Sequence, residues 1–145
     1  MMKGVDVYDL KEIEVDKGNI LHALKAEDEG YVGFGEAYFS QIKYGAIKGW
    51  KRHNEFVLNI IVPVGEIKFV IFDDRVGSAT YRSFFEIKLS PSRNYKRICV
   101  QPGLWMAFQG LTNPSSILLD IIPGAHISSE ADSVSLDKIE YDFKS

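Results

Sequence analysis

The chain has 145 residues, 46% hydrophobic and 26% charged, with a net charge of −3. That predicts one domain over residues 1–145, long enough to bury a core without staples, and the acidic balance excludes a broad nucleic-acid surface, which needs a basic footprint. The single cysteine, Cys99, excludes an internal disulfide and fits a reducing cytoplasm.

The opening segment, MMKGVDVYDLKEIEVD, has no apolar run of the secretory kind. No apolar stretch further on is long enough for a bilayer, so no membrane partner is expected. Strands are predicted over 5–10, 20–24 and 35–42. FVLNIIV follows and runs into Pro63-Val64-Gly65, which reads as the turn of a hairpin. Its second arm is EIKFVIFDDR, where Ile67, Phe69 and Ile71 alternate with Glu66, Lys68 and Val70, the two-residue period of a half-buried strand. Further strands are predicted over 83–89, 95–100, 105–109 and 117–122. Turn signals separate them at Gly30, Gly77-Ser78, Pro91-Ser92 and Asn113-Pro114-Ser115. Many short strands at this spacing predict an all-β sandwich or barrel. Residues 126–137 offer one short turn of helix.

The cations gather in GAIKGWKRHNEF. Lys48, Lys51, Arg52 and His53 fall within six positions, around Gly49 and Trp50. The segment reads as a solvated turn, a metal site, an anion cradle or an acid/base centre. A metal is not expected. His22, His53 and His126 lie in separate segments without ligand spacing, and Lys51, two before His53, would repel the ion. Nucleophilic catalysis has no motif either: Cys99 sits in the strand RICVQP, and no serine occupies a nucleophile elbow. With no glycine-rich phosphate loop, anion recognition falls to side chains, arginine as a planar fork and lysine as a point charge. Strict alternation puts Lys48 and Trp50 on one face and Gly49, Lys51 and His53 on the other. Only a bulge near Gly49 would turn Lys48 and Lys51 the same way. Trp50 fits the core or a stacking position equally.

Several segments, in order, resemble the RmlC-type cupins, the dTDP-4-dehydrorhamnose 3,5-epimerases and their shorter relatives. GAIKGWKRH is similar to that family's G-V-L-R-G-L-H strand. VPVGEIKFVIFDDRVGSATYRSFFEIKLS resembles its glycine turn and the strand ending in D-x-R. NYKRICVQPGLWMAFQGL resembles its N-…-I-P-x-G-F-A-H-G-F segment. The likeness covers residues 36–130. It implies a cupin-type jelly-roll barrel or sandwich with little helix, no cofactor, and a homodimer in which N-terminal strands (Val5, Val7, Ile13, Val15) add to the partner's sheet. It also implies a nucleotide sugar with a 4-keto group as ligand. In that family a histidine removes the proton beside the ketone, cations stabilise the enolate oxygen, and a tyrosine on the other face returns a proton.

Carried over, the family's arginine falls on Lys48 and its catalytic histidine on Lys51, with His53 two residues on. The next strand's lysine falls near Leu58 or Asn59, the A-H-G-F histidine on Met106 and the tyrosine near Leu119. The resemblance thus implies His53 and Lys51 as catalytic residues, and Lys48, Arg52, Asn59, Arg75 and Trp105 as substrate-binding ones. Arg75, in D-D-R, also reads as a strand-end ion pair. Imidazole has an ordinary pKa of about 6.5 and lysine starts about four units higher, which casts His53 as base and Lys51 as enolate-stabilising cation. Two functions remain open: an epimerase or isomerase, and a non-catalytic cupin that binds a nucleotide sugar as sensor or subunit. A tyrosine facing His53 across the cavity would favour the first, with Tyr38, Tyr44, Tyr81 and Tyr95 as candidates.

Overall fold

The structure is a computed structural model and describes residues 1–144. The strands in chain order are β1 (Val5–Asp9), β2 (Glu12–Ile13), β3 (Ile20–Leu21), β4 (Glu36–Lys43), β5 (Ile47–His53), β6 (Leu58–Val64), β7 (Ile67–Phe72), β8 (Phe84–Leu89), β9 (Lys96–Val100), β10 (Trp105–Gly110), β11 (Ser115–Ile122) and β12 (Ala131–Ser133). Two antiparallel sheets carry the fold, one ordered β1-β9-β6-β11-β4 and the other β12-β5-β10-β7-β8, while β2 and β3 form a small ribbon apart. This is the expected all-β cupin architecture, and among the described residues its helix is limited to 3-10 turns at Ser128–Glu130 and Leu136–Lys138.

The alternation predicted along the strands builds the core between the sheets. Ile42, Leu58, Ile60, Val62, Leu118 and Ile122 of the first sheet meet Ile67, Phe69, Ile71 and Leu89 of the second. Burial of these branched and aromatic side chains is the main stabilising term, at about 25 cal/mol per Å² of apolar surface.

Two expectations change. Pro63-Val64-Gly65 is no hairpin turn, because β6 and β7 belong to different sheets and do not pair. It is a corner between layers. Gly65 has φ +81°, and a Cβ there would lie 2.3 Å from Ser116 Oγ, so only glycine fits. Second, β7 is buried on both faces. The segment after β12 crosses the outer face of its sheet and lays Val134, Ile139, Tyr141 and Phe143 on Trp50, Val70, Phe72, Trp105 and Ala107. Lys68 ends there, its ammonium donating to the Phe143 carbonyl at 2.6 Å. At the N-terminus, β1 pairs with β9 of its own chain as an edge strand, and Ile13 lies in the β2–β3 ribbon.

Candidate functional site

Between the two sheets, at the β4–β5 end, lies a cavity of about 290 Å³. That is near the lower end of the range for small-molecule sites, roughly 300–1,000 Å³. Strand alternation supplies its walls. The first sheet contributes Tyr38, Ser40, Leu58, Ile60, Leu118 and Asp120, all inward positions two residues apart on their strands. The second contributes Lys48, Lys51, His53, Met106, Phe108 and Ser133.

A bulge in β5 makes the second wall. Opposite β10, Met106 aligns with Lys51 and Phe108 with Lys48, so two steps on β10 match three on β5. The extra residue falls at Gly49-Trp50 and resets the alternation, which turns Lys48 and Lys51 into the same cavity. Gly49 has φ +148°, and an added Cβ would lie 2.5 Å from Ala107 Cβ. Trp50 is fully buried under the C-terminal segment, its indole N–H shared between the carbonyls of Leu136 and Ile139, both at 3.2 Å. It is core, not a stacking platform.

His53 is buried, with Nδ1 2.6 Å from Glu130 Oε1. Glu130 Oε2 accepts the backbone N–H groups of Asn54, Glu55 and Phe56 at 3.0–3.1 Å. Burial pushes the Glu130 carboxyl up, but the Glu55 N–H, His53 and Phe56 N–H outweigh it, and the group titrates below the usual carboxylate range. An ionised Glu130 accepts Nδ1–H, which leaves Nε2 with its lone pair as the basic nitrogen. Lys48 donates to Gln41 O at 2.6 Å and to Ser40 Oγ at 3.3 Å, so its charge is braced against β4. Lys51 forms no ion pair among the described residues.

On the facing wall, Tyr38 donates its phenol O–H to Asp120 Oδ2 at 2.9 Å. Burial, then the Asp120 charge, holds the phenol above its usual range. Asp120 is 6% exposed. Burial pushes its carboxyl up to about 6, against the Tyr38 hydrogen bond and the charges of His53 and Lys51. Neither Asp120 nor Glu130 was expected from the sequence. The signal for Asp120 was present in SSILLDII, where a carboxylate takes an inward position of an apolar strand.

The other expected site residues do not line this cavity. Arg52 points outward, paired with Asp132 at 2.7 Å and lying 4.6 Å over the Trp105 ring. Trp105 belongs to the cluster beneath the C-terminal segment. Asn59 is on the opposite face of β6, donating to Gly30 O at 3.0 Å and accepting from Arg97. Arg75 makes a two-pronged pair with Asp73, Nε to Oδ1 at 2.9 Å and Nη2 to Oδ2 at 3.0 Å, and caps Lys3 O at 2.6 Å. It is the strand-end ion pair, made with Asp73 while Asp74 pairs with Arg82.

No protein-family model matches the chain, and no curated protein does. Solved structures do. A dTDP sugar isomerase from Desulfovibrio desulfuricans G20 is 26% identical, with TM-score 0.94 over 99% of this chain and 92% of that one. NovW, a 4-keto-6-deoxy sugar epimerase from Streptomyces spheroides, is 18% identical, with TM-score 0.82 over 93% and 71%. A dTDP-4-dehydrorhamnose 3,5-epimerase from Bacillus anthracis, solved with TDP and PPi bound, is 18% identical, with TM-score 0.81 over 94% and 83%. The fold is therefore that of the RmlC-type sugar epimerases, as the sequence motifs implied.

Proposed function

We propose that this chain, an RmlC-like cupin by fold, is an epimerase or isomerase that moves protons beside the ketone of a nucleotide-linked keto sugar. One observation carries the reading: His53, backed by Glu130, and the Tyr38–Asp120 pair line one cavity from opposite sheets, with two lysines on the His53 side. The tyrosine that would favour catalysis is Tyr38.

In this reading His53 Nε2 takes the proton from the carbon next to the ketone. That C–H electron pair moves into the ring as the ketone becomes an enolate. Lys51, free of an ion pair among the described residues, stabilises the enolate oxygen, and Lys48 adds positive charge beside it. Tyr38 returns a proton from the other wall, either to the same carbon with inversion, so that the ketone re-forms, or to the former ketone carbon, in which case the adjacent hydroxyl passes its proton to the old ketone oxygen and becomes the new ketone. The apolar floor of Leu58, Ile60, Leu118, Met106 and Phe108 keeps water away and strengthens each charge interaction. The cavity holds about one sugar ring, so the nucleotide lies outside it.

The lysine at position 51, where the family carries its catalytic histidine, favours the second reading, binding without turnover. The two separate on one experiment. The chain is incubated in heavy water with a dTDP-linked 4-keto-6-deoxy sugar, and the ring protons are followed by NMR. Deuterium entering beside the ketone, lost in His53→Gln, supports the enzyme. Saturable binding with no exchange at any ring position supports the binder.

A further inference from the structure

Buried carboxylates in this chain are of two kinds. Asp73 is fully buried, and its oxygens take five donors: the Arg75 backbone N–H, Nε and Nη2, and the hydroxyls of Ser78 and Thr80. Glu130 takes His53 and three backbone N–H groups. Both are satisfied anions that hold the fold. Asp120 differs. Its Oδ2 accepts the Tyr38 phenol, but its Oδ1 is buried in the cavity wall and receives no hydrogen bond from the described residues. Leaving a buried acceptor unmet costs about 1–3 kcal/mol. A strand that otherwise points Ser116, Leu118 and Ile122 inward has no structural use for that carboxylate.

We propose that Asp120 is the proton partner of Tyr38: neutral Asp120 donates to the phenol oxygen, frees the Tyr38 O–H for the ligand, and replaces the proton Tyr38 gives up. This rests on Tyr38 being the returning acid.

The hydrogen bond at 2.9 Å joins two oxygens and runs in either direction. With Asp120 ionised, the phenol proton is held inside the pair. Giving that proton to carbon would leave a phenolate beside a carboxylate in a buried site, two like charges that strongly oppose each other. With Asp120 neutral the balance closes. The enolate electron pair takes the Tyr38 proton, a C–H bond forms, and the ketone returns. The Tyr38 O–H bond breaks, and Asp120 passes its own proton to the phenol oxygen. One negative charge leaves the enolate and one appears on Asp120. The ionisable groups on the cavity walls around that carboxylate are Tyr38 on β4 and Lys48, Lys51 and His53 on β5, with Glu130 behind His53; the cavity-lining positions on β6, β10 and β11 are apolar apart from Asp120 itself. Lys51 and His53, the latter protonated after the first step, are the cations that stabilise the new carboxylate. Asp120 acts through Tyr38, so it is a positioning residue.

The test has two arms on the full chain. In the first, the side-chain carboxyl carbons of aspartate are labelled and followed by NMR from pH 4 to 9 without ligand. The Asp120 signal, identified by its loss in Asp120→Asn, titrates with a midpoint near 6. In Tyr38→Phe the midpoint moves up, because the phenol no longer stabilises the carboxylate. An Asp120 already ionised at pH 5, or a midpoint unmoved in Tyr38→Phe, overturns the proposal. In the second, the deuterium exchange described above is measured against pH. The expected rate falls about tenfold per pH unit above that midpoint, and Asp120→Asn loses about 10²-fold or more together with that limb. An Asp120→Asn variant with the unmodified rate and profile overturns the proposal. Absence of exchange in the unmodified chain sinks the enzyme reading, and the proton transfer with it; a failed titration with exchange intact sinks the Asp120 proposal alone.

Discussion

Glu130 binds His53 at 2.6 Å although the register of β5 and β12 sets Ala131, not Glu130, opposite His53. The carboxylate reaches the ring because it stands in the 3-10 turn just before β12, where its second oxygen also gathers the N–H groups of Asn54, Glu55 and Phe56. One side chain thus fixes both the imidazole and the chain leaving the site strand.

Replacing Glu130 should separate those two duties. Glu130→Ala leaves His53 and the Glu55 and Phe56 N–H groups unmet, while the Asn54 N–H keeps the Glu130 backbone carbonyl at 2.8 Å, and should destabilise the fold by about 3–5 kcal/mol. Glu130→Gln keeps an acceptor for the backbone but offers Nδ1 an amide, so stability falls less while exchange drops about 10- to 100-fold. The folded carboxyl titrates below its ordinary 4.5, so its stabilisation is present above pH 4.5 and lost as pH falls through the lower folded value. Thermal unfolding from pH 3 to 7 should show that acid loss in the unmodified chain and a flatter curve in Glu130→Gln.

Asp120 should have the opposite sign. Its folded pKa, about 6, lies above its ordinary 3.8. The fold therefore binds this proton more tightly than the unfolded chain does. That contribution is complete below pH 3.8 and lost as pH rises through about 6. Two pKa units correspond to about 3 kcal/mol. Asp120→Asn should accordingly raise the melting temperature at pH 7.5 and leave it nearly unchanged at pH 4. A variant less stable than the parent at pH 7.5 would make Asp120 a structural residue.

Lys51→Met should hardly alter stability, since the ammonium forms no ion pair among the described residues. It should cost exchange about 10²- to 10³-fold, the range for removing one preorganised enolate-stabilising group. It should also raise the Asp120 midpoint, because the Lys51 charge favours the carboxylate. Calorimetry and the aspartate titration check both halves.

Gly49→Ala tests the bulge. The new methyl would meet Ala107 at 2.5 Å to its Cβ and 2.8 Å to its Cα, on a backbone at φ +148°. Strain of this kind costs roughly 1–3 kcal/mol, and overpacking about as much again. The expected result is a lowered melting temperature and, at temperatures where the variant stays folded, weakened ligand binding as Lys48 and Lys51 lose their common face.

A homodimer is the expected assembly, with exposed Phe34 and Phe39, beside and on the edge strand β4, as apolar surface it would cover. Analytical ultracentrifugation at micromolar concentration should give twice the chain mass; one chain mass would remove the expectation.

Much of the strand pattern was legible because alternation is a local steric property. Ile67, Phe69 and Ile71 had to share a face whatever surrounded them. What covers the other face is a long-range matter, and β7 proved doubly buried only because residues 134–143 fold back over it. The same divide ran through the site. Lys48, Lys51 and His53 were visible as a cluster of cations, but strict alternation separates Lys48 from the other two, and only the pairing with β10 reveals the extra residue that unites them. Arg52, one position from His53, turned outward to Asp132 by the same alternation.

The sequence by itself determined the all-β class, the strands with clear alternation and the clustering of the cations between residues 48 and 53, and it marked a chain reversal at Gly65 without showing that the reversal joins two layers. Each follows from side-chain period and backbone freedom within a few residues. Tertiary structure alone decided that Tyr38 and Asp120, 82 positions apart, share a hydrogen bond, and that Glu130 holds His53 across 77. Those pairs form because sheet register and the closing of one layer on the other bring distant inward positions to a common cavity. An isolated tyrosine and an aspartate in an apolar strand carry no local sign of each other, and their chemistry exists only once water has been excluded around both.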